Sequence, residues 1–333
     1  MRTLQRSSDY RQVERLKPMK IGLDVMGGDF APRNCVLGAI DACPQIGPDC
    51  SIVLFGDKPK IEDICSKMDF DSGKFEIVHC SQFIKMDENP VKAYAKKHDS
   101  SMVVGMVMLS KGGIDAFASA GSTGAMLAGC VGTLKPIVGI IRPCISVEVP
   151  LINDKRMLIL DVGFNTDCKP DVLYQFGALG SIYAKEMMSV PKPRVALLNI
   201  GEEEERGSMA VKEAYKLMMD SSYFDFVGNI EANQLFTGDI ADVVVTDGFS
   251  GNILLKQAEG MYDMARRVGI ENEYFDRFNY ENYGGIPVLG VPSPVIIGHG
   301  ASTSLAVSNM ILQAEKALNN RLTEKIKEAI SNG

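Results

Sequence analysis

Lys20-Ile21-Gly22-Leu23-Asp24-Val25-Met26-Gly27-Gly28-Asp29 is a short apolar run that ends in an aspartate and a pair of glycines. A helical pattern follows it over 32–42. Strand, glycine turn and helix start together open a βαβ unit. The same order repeats outward. Apolar, β-branched runs predict strands at 20–25, 51–55, 75–79, 116–119, 144–149, 157–160, 194–199, 224–227 and 242–245. Several are apolar throughout, as strands covered on both faces are. Helical patterns fall between them at 32–42, 90–110, 170–188 and 208–219, and Pro90 and Pro170 suit a first helical turn, where a missing N–H costs nothing. The expected fold is therefore α/β: a Rossmann-like α/β/α sandwich on a mainly parallel sheet. Near the end, 285–289 and 294–297 flank 290–293 as a hairpin, and one long helix is expected over 302–331.

The chain has 333 residues, 46% hydrophobic and 23% charged, and one α/β catalytic domain over 19–333 is expected. A net charge of −7 argues against a nucleic-acid partner. Eight cysteines show no C-x-x-C pair, so neither a disulfide framework nor a zinc site is read from them. No apolar run reaches the roughly 18 residues of a membrane span. Residues 1–18 carry Arg2, Arg6, Arg11, Arg15 and Lys17 without the apolar centre of a secretory signal, and read as a disordered tail ahead of the domain.

Open α/β sheets build their sites at the carboxyl ends of strands, and five turns there carry polar residues. In the first, Gly27 and Gly28 let backbone N–H groups approach a ligand, with Asp24 and Asp29 beside them; the alternative is a tight turn with Asp29 capping a helix. The second, Ser119-Ala120-Gly121-Ser122-Thr123-Gly124-Ala125, offers hydroxyls and free N–H groups as an anion cradle, or simply an N-cap at Ser122. It is neither a Walker A loop nor a dinucleotide fingerprint. The third, 161–170, holds Asp161, Asn165 as a candidate oxyanion donor, Lys169 as a phosphate or partner contact, and Cys168, which has no assigned base. The fourth runs from Asn199 through Glu202, Glu203, Glu204 and Glu205 to Arg206; its acids either serve the site or stay solvated ahead of a helix. The fifth carries Asp247 and Asn252, with Lys256 one turn into the next helix. His299, flanked by Gly298 and Gly300, is the one histidine set at such a turn. No metal or nicotinamide signature accompanies these residues, so no cofactor is expected.

Taken together, the stretches 22–29, 120–124, 161–163, 199–203, 241–252 and 294–300 closely resemble one family, the phosphate acyltransferases known as PlsX. The resemblance implies a homodimer related in fold to phosphotransacetylases and isocitrate-dehydrogenase-type enzymes. It also implies transfer of a fatty acyl group from acyl carrier protein to inorganic phosphate, and delivery of the acyl phosphate to a membrane glycerol-3-phosphate acyltransferase. A cytoplasmic location follows, with peripheral membrane attachment left open. In that reading the N–H groups of 27–29 and 122–124 hold phosphate, Asn165 or Asn199 stabilises the oxyanion, and His299 or Asp247 moves protons. Asp24, Asp29, Asp161, Lys169, Glu203 and Asn252 line the substrates. Basic pairs such as Lys96-Lys97, Lys155-Arg156 and Arg266-Arg267, with Arg142 and Lys169, are candidates for docking the acidic carrier. A coenzyme A-dependent acyltransferase and a non-catalytic carrier-binding scaffold are the rival readings. Phe164 before Asn165, Arg206 in place of lysine, and a short, polar 258–282 depart from the family pattern; no broad apolar face is expected over that last segment.

Overall fold

Ile21, Leu23 and the residues between them are buried on both sides of the first strand, β1 (Met19–Asp24), as expected of an inner strand of a covered sheet. The computed structural model describes residues 18–238 and 240–331. The tail expected over 1–18 lies, all but its last residue, outside them.

From β1 the chain continues through α1 (Arg33–Ala42), β2 (Cys50–Gly56), α2 (Lys58–Lys67), β3 (Glu76–His79), α3 (Pro90–Lys96), α4 (Ser101–Ser110), β4 (Ala116–Ser119) and α5 (Thr123–Gly129). Then come β5 (Cys144–Pro150), β6 (Arg156–Leu160), α6 (Pro170–Met187), β7 (Arg194–Leu198), α7 (Met209–Met219), β8 (Asp225–Ile230) and β9 (Val243–Val245). The last elements are α8 (Gly248–Arg267), α9 (Glu273–Asp276), β10 (Gly285–Leu289), β11 (Val295–Gly298), α10 (Ser304–Asn319) and α11 (Leu322–Ser331). The strands form one eleven-stranded sheet in the order β3-β2-β1-β4-β11-β10-β5-β6-β9-β7-β8.

Seven of the ten strand pairings are parallel, so the mainly parallel sheet expected from the sequence is present. The three antiparallel ones, β11–β10, β10–β5 and β5–β6, sit side by side in the middle. They reverse the sheet's direction. The carboxyl ends of β1, β4 and β11 therefore lie at one edge, and those of β6, β9 and β7 at the opposite edge. The five turns do not share one edge as the strand–turn reading supposed.

One face of the sheet carries α3, α4 and α5, whose core includes Phe55, Met106, Phe117, Ile145 and Ile297. On the other face α1 packs against α10 over β1 and β2, and α6, α7 and α11 cover β6, β7 and β9.

Several boundaries differ from expectation for local reasons. The helix predicted over 90–110 is two helices, because the chain turns at Lys97–Asp99 and Ser100 caps α4 by accepting the Val103 N–H. The long final helix breaks at Arg321, which takes φ 53°. A helix not anticipated, α2, starts at an Asp57 cap that accepts the Lys60 N–H. The strand placed at 224–227 begins one residue later and runs on to Ile230.

The segment 258–282 also departs from its polar reading. Met261, Met264 and Val268 are exposed and continue a stripe begun by Phe249 and Ile253 on α8. At the helical 100° per residue these five fall within about 120° of one another. The stripe was hidden because its first members precede residue 258, inside the glycine turn.

Candidate active site

Asp24 organises the first edge. Its carboxylate, 1% exposed, accepts the Met26 N–H at 3.0 Å and the Ser119 hydroxyl at 2.7 Å, and Ser119 Oγ in turn accepts the Gly121 N–H at 3.0 Å. Burial pushes the Asp24 carboxyl up, opposed by hydrogen bonds from Ser101 and Ser119. Asp24 thus fastens the 24–29 turn to the 119–124 turn and is itself covered. Gly28 takes φ 105°, a conformation open to glycine, and Asp29 N donates to Gly300 O at 2.8 Å. That bond brings the His299 turn alongside. His299 Nδ1 accepts the Ala301 N–H at 3.2 Å, so in the neutral ring the proton sits on Nε2. Ser302 donates from N and Oγ to His299 O, at 3.0 and 2.6 Å. Ser122 occupies the N-cap position of α5 but makes no capping bond with its side chain.

Asp161 organises the opposite edge. One carboxylate oxygen accepts the N–H groups of Ile145, Gly163 and Phe164, and the other accepts the N–H and Nδ2 of Asn165. Burial pushes this carboxyl up as well, against those donors. The Asn165 amide also donates to Pro143 O at 2.8 Å, so its nitrogen is engaged within the fold. Asp247 caps α8 by accepting the Ser250 N–H at 2.7 Å. Cys168 is buried and its thiol is pushed up to about 12, an unfavourable setting for a nucleophilic thiolate. Lys169 is exposed at the start of α6.

The fourth turn stands apart from both. Asn199 accepts the Ile200 N–H and donates to Arg206 O. Glu203 pairs with Arg206 at 3.0 Å, which holds its carboxyl below the usual value.

A cavity of about 410 Å³, within the range of small-molecule sites, lies between α8 and the face of β5, β10 and β11. Ile145, Val147, Val149, Val162, Ile286 and Ile297 supply its apolar wall, and Leu255 faces them from α8. Asp29, Thr123, His299 and Gly300 bring polar groups of the first edge to it; Asn252, whose Nδ2 donates to Val162 O at 3.2 Å, comes from the other side. Of the residues singled out in the sequence, the cavity gathers Asp29, Thr123, Asn252 and His299. Gly27, Gly28, Ser122 and Gly124 stand in the turns behind them. Asn165, Asn199, Asp247, Asp161, Glu203 and Lys169 do not line it.

Sequence reasoning missed the residues of the wall, and noted Lys256 on the helix after the fifth turn without giving it a role. The signals were there: alternation of Ile145, Val147 and Val149 along one strand, and Asn252, Leu255, Lys256 and Glu259 at helical spacing. Asn252, Leu255 and Glu259 fall on the side of α8 away from the exposed Phe249–Val268 stripe, and Lys256 lies at the border between the two.

Comparison with known proteins fits this arrangement. The model of the fatty acid synthesis protein family matches residues 19–273. A phosphate acyltransferase of Dictyoglomus turgidum is 38% identical, covering 94% of this chain and 98% of its own. That of Alkaliphilus oremlandii is 39% identical with the same coverage. Among solved structures, a phosphotransacetylase from Streptococcus pyogenes superposes with a TM-score of 0.64 at 18% identity, covering 91% of this chain and 95% of its own. The EutD phosphotransacetylase of Staphylococcus aureus gives 0.60 at 18%, with 90% and 94% covered, a likeness of fold. A family model over most of the chain and close relatives along nearly all of it show that this chain belongs to the phosphate acyltransferases of the fatty acid synthesis protein (PlsX) family.

Proposed function

We propose that the enzyme moves a fatty acyl group from acyl carrier protein to inorganic phosphate, releasing an acyl phosphate for phospholipid synthesis. The observation that carries this reading is one cavity with apolar walls and the polar groups Asp29, Thr123 and His299. The walls suit a long acyl chain, and the N–H groups of Gly28 and of the 122–124 turn suit phosphate, those of Gly27 and Asp29 being engaged by Asp24 and Gly300 O. A phosphate oxygen attacks the thioester carbonyl carbon, the C–S bond breaks, and sulfur leaves with the electron pair. Where the attacking species is the monoanion, its proton ends on the departing thiol. That proton passes directly from phosphate to sulfur, while His299 Nε2–H, protonated in the neutral ring, is placed to donate a hydrogen bond to the developing charge, and positioning of the two substrates supplies much of the remaining rate.

Replacing His299 by alanine is expected to lower kcat by about 100-fold while leaving thermal unfolding unchanged, since the ring is exposed. A kcat within a few-fold of the parent would remove His299 from catalysis. Leu255→Ala opens the wall opposite Ile145 and Ile297. The loss in kcat/KM should grow with acyl length, by roughly fourfold for each methylene left without a wall. A loss equal for short and long chains would place the acyl group elsewhere.

The donor is tested by thiol release from palmitoyl carrier protein and from palmitoyl-coenzyme A at equal concentration with phosphate present. Turnover of the carrier-bound donor alone supports the reading. Preference for the coenzyme would favour a phosphotransacetylase-like enzyme, and carrier binding without turnover of either would favour a scaffold.

A further inference from the structure

The cavity has an unbalanced charge for the substrate it must take. Inorganic phosphate near neutral pH carries one to two negative charges, and two acidic residues, Asp29 and Glu259, border the space with side chains not turned to the far face of the sheet, as that of Glu148 is. An anion entering such a site from water needs a cation or it is repelled. Among the described residues that line the cavity, Lys256 is the sole lysine or arginine.

Arg156, Arg277, Arg142 and Lys169 are placed otherwise. Arg156 engages Glu148 at 3.1 Å, and that carboxylate also accepts the Tyr183 hydroxyl at 2.9 Å, on the far side of the sheet. Arg277 pairs with Asp154 and donates to Leu151 O. Arg142 donates to Asp167 O, and neither Arg142 nor Lys169 lines the cavity. Lys256 Nζ instead sits 2.6 Å from Glu259 Oε2, one turn further along α8, with both side chains part exposed. An i,i+3 pair of this exposure is weak and exchangeable.

We infer that Lys256 is the phosphate-binding cation of the acyl transfer site, held by Glu259 until phosphate displaces that carboxylate. The inference rests on phosphate acyl transfer as the reaction, and deepens it by naming the group that supplies positive charge. In the phosphate complex the ammonium swings from Glu259 to a phosphate oxygen within the same cavity. Lys256 then offsets the carboxylates, while the N–H groups of Gly28 and the 122–124 turn fix the orientation. Its position on α8, at the border between the cavity side and the exposed apolar stripe, lets the ammonium reach the cavity from its rim.

The assignment makes two predictions of opposite sign for neighbouring residues. Lys256→Ala removes a charge-assisted hydrogen bond and should weaken phosphate by about tenfold or more, with the KM for acyl donor little changed. Glu259→Gln frees the ammonium and should tighten phosphate by a few-fold, on the order expected for losing one exposed ion pair. Lys256→Arg should recover part of the affinity lost in the alanine variant.

Direct binding of inorganic phosphate to each full-length protein, by isothermal calorimetry without acyl donor, reads this independently of turnover. Weaker binding in Lys256→Ala with tighter binding in Glu259→Gln would establish the assignment, whichever thioester is the donor. Unchanged phosphate affinity in Lys256→Ala, or absence of saturable phosphate binding to the parent, would overturn it. Equal weakening in both variants would also overturn it, since it would show the pair to be a structural clamp on α8. Failure of the parent to form acyl phosphate despite lysine-dependent phosphate binding would count against the transfer reaction and leave the anion site standing.

Discussion

Gly251→Ala is expected to destabilise the protein by about 3 kcal/mol and to abolish most activity. A Cβ built at Gly251 would lie 1.9 Å from the carbonyl oxygen of Asp161, and 3.0 Å from the Thr246 side chain. Backbone cannot yield as a flexible side chain can, so α8 would have to lift away from the strand end that anchors it. The same helix carries Asn252, Leu255 and Lys256 to the cavity, so the displacement reaches the site directly. Gly260 provides the opposite case on the same helix. Nothing lies within 4 Å of its added Cβ, and Gly260→Ala should raise stability by about 0.5–1 kcal/mol through helix propensity. Urea unfolding of the two variants beside the parent checks both signs. Equal stability of Gly251→Ala and parent would show that α8 does not seat on the Asp161 turn.

Asp161→Ala should cost about 3–5 kcal/mol, the range for breaking a buried charged network by removing one partner. Four backbone N–H groups and the Asn165 amide donate to this carboxylate, and alanine leaves all of them without that acceptor in a site with 0% exposure. Asp161→Asn keeps one acceptor oxygen and should fall between alanine and parent. The readout is again the urea midpoint, with soluble yield as a guide where alanine fails to accumulate. A loss below about 1 kcal/mol for Asp161→Ala would mean that water or a neighbouring group replaces the carboxylate. This result would also separate Asp161, a residue that holds loops, from His299, whose replacement is expected to leave stability unchanged.

Much of this architecture is legible in the sequence because inner strands must bury both faces. The runs at Ile52–Phe55, Ala116–Ser119 and Arg194–Leu198 are apolar for that reason, and glycine-bearing turns follow the strands of the first edge. Helix breaks are less legible. The breaks at Lys97–Asp99 and at Arg321 are marked only by short runs of poor helix formers and caps, His98-Asp99-Ser100 and Asn319-Asn320, inside longer helical patterns that run past them.

The direction of the sheet was the consequential omission. Each strand–turn–helix unit looks alike whether its strand runs up or down, and only pairing across β11–β10–β5–β6 sets the reversal. With that reversal, Asp29, Thr123 and His299 separate from Asp161, Asn165 and Asp247, although all follow strands in the same manner. Asp24 and Asp161 looked like ligand groups since a carboxylate at a strand end reads the same whether it faces substrate or fastens loops. Burial and hydrogen-bond partners distinguish the two. Lys256 went unweighted for the converse reason: an isolated lysine on an amphipathic helix reads as surface until the cavity beneath it is seen.

The central claim, that phosphate is the acyl acceptor in the cavity under α8, is tested most directly with radiolabelled inorganic phosphate and palmitoyl carrier protein. The parent should transfer label into an acyl phosphate that hydroxylamine traps as palmitoyl hydroxamate, with label released again as phosphate. Leu255→Ala should lower that product far more for palmitoyl than for short acyl chains. Release of free fatty acid with no labelled acyl phosphate would contradict the account, because it would make water the acceptor.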